Sequence, residues 1–178
     1  MNWNAIIRHY KSVHYPNHIE EHKWFKNQTL LSNAIQNAAL SINQKGKRFD
    51  HQRRLKISCL ENACQILLRL ENRIKRCRTF DELINLIKDT LQNVAGVGEL
   101  YYYDTALRIG AKLGLSPQRI YLHSGTRQGA KMLRISKGRS WIETKDVPKE
   151  LQSLTPDEIE DILCIYKSRF WETVDLKI

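Results

Sequence analysis

Apolar residues recur at three- and four-residue steps along almost the whole chain, which is the spacing of amphipathic helices. Residues 19–43 read as one helix, with Trp24, Leu31, Ala34, Ala38 and Ile42 near one face. The polar run from Lys45 to Arg53, with Gly46 inside it, predicts a loop. A long helix is expected from about Leu55 to Arg76. Leu60, Cys64, Leu67, Leu70 and Ile74 form its apolar stripe, and Arg69, Arg73 and Arg76 its charged face. Thr79-Phe-Asp-Glu82 has the form of a capping box, so a helix should start there and run to about Asn93. Gly96 and Gly98 interrupt the pattern. A further helix is predicted from Glu99 or Leu100 to Leu113, stopped by Gly114. Ser116-Pro117 predicts another helix start, and Thr155-Pro156-Asp157-Glu158 a last helix over about 156–170. Residues 135–149, with Gly138 and Pro148, are the expected long loop, and Tyr101-Tyr102-Tyr103 is the only β-leaning run. The expected class is all-α, a compact multi-helix fold forming a single domain over 1–178.

Composition is ordinary for a globular chain, with 42% apolar and 27% charged residues. No apolar run approaches the roughly 18 residues that cross a bilayer, so no membrane partner is expected. The start Met1-Asn2-Trp3-Asn4-Ala5 lacks a basic segment followed by an apolar one, so no signal peptide is expected and the default address is cytoplasmic. Cys59, Cys64, Cys77 and Cys164 form no C-x-x-C pair and read as small buried hydrophobes. The charge changes the picture more. Twenty-nine Lys and Arg against nineteen Asp and Glu leave a net charge of +10. Residues 45–79 hold eleven basic and three acidic side chains, and residues 105–145 hold nine and one. The rest of the chain is net negative. A basic footprint confined to two blocks suggests a polyanionic partner, and nucleic acid is the usual one.

The segment Leu91-Gln-Asn-Val-Ala-Gly-Val-Gly-Glu-Leu100 lies between two predicted helices. Gly96 and Gly98 permit a tight turn and close approach of a foreign backbone. The helix that follows opens with free N–H groups and a positive dipole end, which binds phosphate without a charged side chain. A helix-hairpin-helix element holds DNA in this way, independently of base sequence. A plain interhelical turn is the simpler reading of the same glycines.

Val94-Ala-Gly-Val-Gly98, followed by Tyr103-Asp-Thr-Ala-Leu-Arg108-Ile-Gly-Ala-Lys-Leu-Gly114, resembles the helix-hairpin-helix DNA glycosylase superfamily of the endonuclease III type, over about residues 79–134. Ile120-Tyr-Leu-His-Ser-Gly-Thr-Arg-Gln-Gly-Ala130 is similar to short bacterial proteins of this general type, some of whose relatives remove bulky modified bases in anti-phage defence. The resemblance implies DNA binding, flipping of a base out of the stack, and hydrolysis of its N-glycosidic bond. It makes Asp104 the catalytic carboxylate. Leu100 stands where bifunctional relatives carry a Schiff-base lysine, and the cysteines of an iron–sulfur loop are missing. A monofunctional hydrolase without cofactor or metal is therefore implied. In the family the catalytic Asp lies beyond the second hairpin helix, whereas Asp104 follows Gly98 by six residues. Either the intervening helix is deleted, or Asp104 lies within the second hairpin helix. In the latter case residues 120–127 take the place of the Asp-bearing loop, offering His123, Ser124, Thr126 and Arg127 but no carboxylate.

Breaking a base–sugar bond passes through an oxocarbenium-like sugar, which one well-placed carboxylate can stabilise. Asp104 is the candidate, with His123 as an assisting acid, base or sugar contact. Gly96, Val97, Gly98, Glu99, Tyr103, Arg108, Arg127, Lys131 and Arg134 are the expected DNA contacts, joined by His51, Gln52 and Arg53 from the other basic block. A flipped base needs an aromatic neighbour, which the tyrosines could supply. A non-enzymatic helix-hairpin-helix protein is the main alternative, with a monomer expected in either case. His18-Ile-Glu-Glu-His22 also matches the H-x-x-E-H spacing, in which two His on one helix face could share zinc with Glu21 as base. A metallohydrolase is thus a minor alternative.

Overall fold

In the computed structural model residues 1–173 are described, except for the side chains of 51 and 171–173. Nine α-helices occur among the described residues, with two strands of two residues each, so the class is all-α. The chain divides into two compact units. One comprises Met1–Asn17 together with the chain from Pro117 onward, and the other His18–Ser116. No helix among the described residues is long and apolar enough to cross a membrane.

The second unit is built from α2 (Tyr15–Lys26, its first three residues belonging to the first unit), α3 (Leu31–Ala39), α4 (Ile57–Arg69), α5 (Glu71–Ile74), α6 (Phe80–Leu91) and α7 (Glu99–Leu113). Its core takes in part of the predicted stripes, with Trp24, Leu31, Ile42 and Leu70 only half-buried, and adds Phe25, Ile35, Leu83 and Ile87. Ala34, Ala38, Leu60, Leu67 and Ile74 have no exposed surface, and Cys64 is buried. The expected helix over 19–43 is two helices, broken at residues 27–30. Gln28 is the reason. Its side-chain amide donates back to the Trp24 carbonyl (3.3 Å), its Oε1 accepts from Asn37 (3.1 Å), and its backbone carbonyl accepts from Lys112 of α7. These bonds replace the next helical turn. The helix expected over 55–76 is interrupted at Leu70, which leaves the helical region (φ −99°, ψ 9°).

Local signals are accurate at α6 and α7. Thr79 accepts from the Glu82 N–H (3.1 Å), while the Glu82 carboxylate accepts from the Arg78 N–H (2.7 Å), one residue further back than a strict capping box. Gly114 ends α7 in the left-handed conformation (φ 72°). The tyrosine run is helical despite its β propensity, because α7 buries all three rings. Tyr101 donates to the Ala39 carbonyl (2.7 Å).

The first unit contains α1 (Trp3–Val13), β1 (Ile120–Tyr121), α8 (Ser124–Met132), β2 (Trp141–Ile142) and α9 (Pro156–Ile165). Asn2 caps α1 by accepting from the Ala5 N–H (3.0 Å). The helix expected at Ser116-Pro117 does not form. The chain instead bends at 118–119 and enters β1, which pairs antiparallel with β2 through Ile120–Ile142 and Tyr121–Trp141. Ile120 and Leu122 are buried in one cluster with Tyr10, Ile142, Ile162 and Phe170, so burial outweighs the local helix-start signal. The expected loop over 135–149 therefore holds a strand and a short 3-10 turn at Thr144–Asp146. Thr155 and Glu158 form a capping box at the predicted start of α9, which ends at Ile165, short of the expected residue 170, and is followed by a 3-10 segment at Lys167–Thr173.

Candidate nucleic-acid interface

Residues 92–98 join α6 to α7, and the two glycines in this hairpin are there for different reasons. Gly96 has φ +90°, and a Cβ there would sit 3.1 Å from Cys59 Sγ in the first turn of α4. The fold itself requires that glycine. Gly98 is extended (φ −152°, ψ −166°), exposed, and has nothing within 4 Å of where its Cβ would be. It is the N-cap of α7 and offers the first turn no side-chain acceptor. Serine or aspartate would serve the helix better at this place. Tyr102 closes the hairpin from inside, its hydroxyl lying 3.3 Å from both the Leu91 and the Val97 carbonyl oxygens. Val97 and Leu100 are half-buried and Glu99 exposed.

The basic loop between α3 and α4 lies against the same helix. Asn43 holds its tip by accepting from the N–H groups of Lys45 (2.9 Å) and Lys47 (3.1 Å). Arg48 donates to the Leu55 carbonyl (2.8 Å) and braces its base. Lys45, Lys47, Arg53, Arg54 and Lys56 are exposed, with Arg53 2.8 Å from Asp50. The side chain of His51 lies outside the described residues.

Gln52 fastens this loop to α7. It is 2% exposed, and its amide donates to Asp104 Oδ2 at 2.5 Å. Its oxygen accepts from the Ser41 hydroxyl and lies 3.3 Å from Arg108 Nη1. Only one amide orientation fits these neighbours, nitrogen toward the carboxylate and oxygen toward the donors. Ser41 holds its place at φ +58°, a left-handed conformation that costs a non-glycine residue roughly 1 kcal/mol. Arg108 is 3% exposed. Its Nε bonds Glu21 at 2.7 Å, and its guanidinium lies over the Phe49 ring at 3.8 Å. Asp104 is half-exposed, at the sixth position of α7. The structure thus puts Asp104 within α7, the helix that follows the glycine turn, and not in a loop beyond it.

Gln52, Arg53, Gly96, Val97, Gly98, Glu99 and Asp104 all lie in the second unit, where Gln52 meets Asp104. Arg108 belongs to the same network, but its charge is spent on Glu21 and Phe49 inside the unit. Tyr103 is 2% exposed and packs edge-on to Phe80 with centroids 6.0 Å apart. Glu21, the acid of the H-x-x-E-H pattern, is the partner of Arg108. Among the described residues no group of three His, Cys, Asp or Glu side chains could hold a metal ion.

His123, Arg127, Lys131 and Arg134 belong to the first unit. His123 is the N-cap of α8 and 4% exposed, and its Nε2 pairs with the Glu160 carboxylate of α9. Thr126 donates to the same carboxylate and lies 3.1 Å from the His123 ring nitrogen. Burial raises the Glu160 carboxyl above its ordinary range, with His123 and Thr126 pulling the other way. Arg127 turns back to the Leu122 carbonyl, while Lys131 and Arg134 are exposed. Reading the sequence missed Glu160, Ser41 and Phe49. Glu160 had one signal, a charge beside Ile159, Ile162 and Leu163 on the apolar face of α9.

No family model, curated protein or solved structure matches this chain.

Proposed function

We propose that the chain binds the backbone of DNA through the hairpin of its second unit and the basic loop beside it. The observation that carries this reading is Gly98. The fold needs no glycine there, yet the position opens the uncapped N-terminus of a fifteen-residue helix. A phosphate oxygen brought to that turn would accept its free N–H groups, with the dipole adding to the attraction. The exposed cations of the loop supply the long-range attraction and the salt dependence. Gly98→Asp tests this directly. Aspartate caps the helix well, so stability should hold or rise by about 0.5 kcal/mol. Its carboxylate would occupy the phosphate position, and affinity for a duplex should fall at least tenfold by fluorescence anisotropy. Asn85→Asp, on an exposed residue of α6, controls for net charge. Affinity equal in the two variants would sink the reading, as would binding by the unaltered chain that does not weaken with salt.

A second reading, favoured by the placement of Asp104, adds chemistry to this binding: monofunctional hydrolysis of an N-glycosidic bond. The carboxylate is half-exposed on the hairpin helix, about 9 Å along its axis from Gly98. Gln52 fixes its orientation with a neutral donor, while the nearby guanidinium is held by Glu21. A carboxylate so held can lie beside the developing sugar cation and orient a water. A panel of ordinary, uracil-containing, alkylated, and hydroxymethyl- or glucosyl-cytosine DNAs, read for free base by mass spectrometry, tests it. Asp104→Asn keeps an acceptor for Gln52 and should retain affinity while base release falls by about a hundredfold or more. Release unchanged in the variant, or none from any substrate with the unaltered chain, would leave DNA binding alone.

A further inference from the structure

The first unit carries a second place where the residue type works against the local backbone. Helix α8 ends in a paired closure, in which the Ile135 N–H bonds the Ala130 carbonyl and the Arg134 N–H bonds the Lys131 carbonyl, both at 2.9 Å. This closure demands a left-handed residue after the cap, a position that strongly favours glycine. Arg134 occupies it at φ +58°. Three residues on, the Arg139 N–H bonds the Ser136 carbonyl at 2.9 Å across a tight turn whose two central residues are both left-handed, Lys137 at φ +44° and Gly138 at φ +73°. Asparagine and glycine suit such a turn, and lysine at its first central position does not. Three non-glycine residues among those described have positive φ, and two of them are these cations. Strain held where the fold would accept a cheaper residue points to a use for the side chain.

The surroundings indicate what that use is. Lys131, Arg134 and Lys137 are exposed within a stretch of seven residues. Asp146, an acid nearby in the sequence, is engaged elsewhere. It accepts from Arg139 at 3.2 Å and from the Glu143 N–H at 3.1 Å. Left-handed positions turn the chain sharply, and so present their side chains at the tips of two successive corners.

We infer that the turn from Lys131 to Gly138 is a second DNA-backbone contact, carried by the first unit, in which Arg134 and Lys137 hold strained positions in order to offer their charges to phosphates. The inference rests on the reading that DNA is the partner, but not on the hairpin. The test is the double variant Arg134→Gly/Lys137→Gly in the full chain, with Arg134→Lys/Lys137→Arg as the charge-keeping control. Glycine relieves both strained positions, so Tm should rise by about 2 °C or more. Duplex affinity should nevertheless fall five- to tenfold, and the slope of log affinity against log salt should flatten by about two, roughly one for each phosphate no longer neutralised. The control should match the unaltered chain in both respects. A gain in Tm with unchanged affinity and slope would overturn the inference, since the cations would then be bystanders. A fall in Tm would overturn it also, because the positions would not be strained. Gly98→Asp measured alongside separates the two sites. Loss of binding in the glycine pair alone leaves this contact standing without the hairpin, and loss in Gly98→Asp alone does the reverse. No binding by the unaltered chain removes both.

Discussion

Arg108→Met should cost about 3 kcal/mol of stability and release the basic loop from α7, although no exposed charge is touched. The guanidinium bonds Glu21 through Nε, lies over Phe49, and has Ser41 and Gln52 oxygens at 3.4 and 3.3 Å from Nη1. Methionine fills much of the same volume and supplies none of those donors. The Glu21 side chain is 30% exposed and can be rehydrated, which keeps the cost at the low end for a broken buried pair. The Gln52 oxygen is buried and cannot be rehydrated so easily. With Arg108 gone, the Gln52 oxygen is left with Ser41 as its one donor, and the loop over 43–56 loosens about its remaining bond to Asp104. Urea denaturation should show the stability loss, and hydrogen exchange the faster opening of that loop. On the proposed function, DNA affinity should drop with it, because the loop cations would no longer be held against α7. Combining the change with Glu21→Gln should give less than the sum of the two losses. Full additivity, or unchanged stability in Arg108→Met, would show that the pair does not hold the loop.

In the first unit, Gly129→Ala should be the most damaging small substitution, at about 3 kcal/mol or more and roughly 10 °C in Tm. A Cβ on Gly129 would lie 2.1 Å from the Leu163 carbonyl oxygen and 2.9 Å from its carbon. Both are backbone atoms of α9, so no rotamer change can relieve the clash. Helices α8 and α9 would have to separate by an ångström or more, and the cost would spread across their whole interface. Thr126 and His123 would be drawn off the buried Glu160 carboxyl, leaving a buried polar group without its partners. Gly125→Ala is the internal comparison. Its Cβ would meet Cys164 Sγ at 2.5 Å, a side-chain atom that can rotate away. Its penalty should be clearly smaller in thermal unfolding, and equal losses would contradict the account of Gly129 as a backbone contact.

These cases mark how far the sequence could be read. The starts of α6 and α9 and both ends of α7 were legible because their signals act within one turn. Thr79, Gly114 and the Thr155-Pro156 start settle backbone groups only a few residues away. The apolar stripe of the helix expected over 55–76 was legible for a similar reason, since helical periodicity already sorts inner from outer faces. Tertiary contacts reversed local preference elsewhere. Lys112 of α7 takes the Gln28 carbonyl and helps end a helix that periodicity would continue. Burial of Ile120 and Leu122 turned the Ser116-Pro117 signal into a lead-in to a strand.

The candidate site divides along the same line. By itself, the sequence determined the turn between α6 and α7, its two glycines, the position of Asp104 relative to them, and the concentration of charge in two blocks. All of these are properties of neighbouring residues or of composition. Only the tertiary structure decided that Gly96 serves the fold while Gly98 does not, that Gln52 reaches Asp104, and that Arg108 spends its charge on Glu21, 87 residues away. Glu160 joins His123 and Thr126 for the same reason. A buried polar group must find a partner somewhere, but its own stretch of chain does not say where. Packing fixes that choice, through contacts that carry no local periodicity.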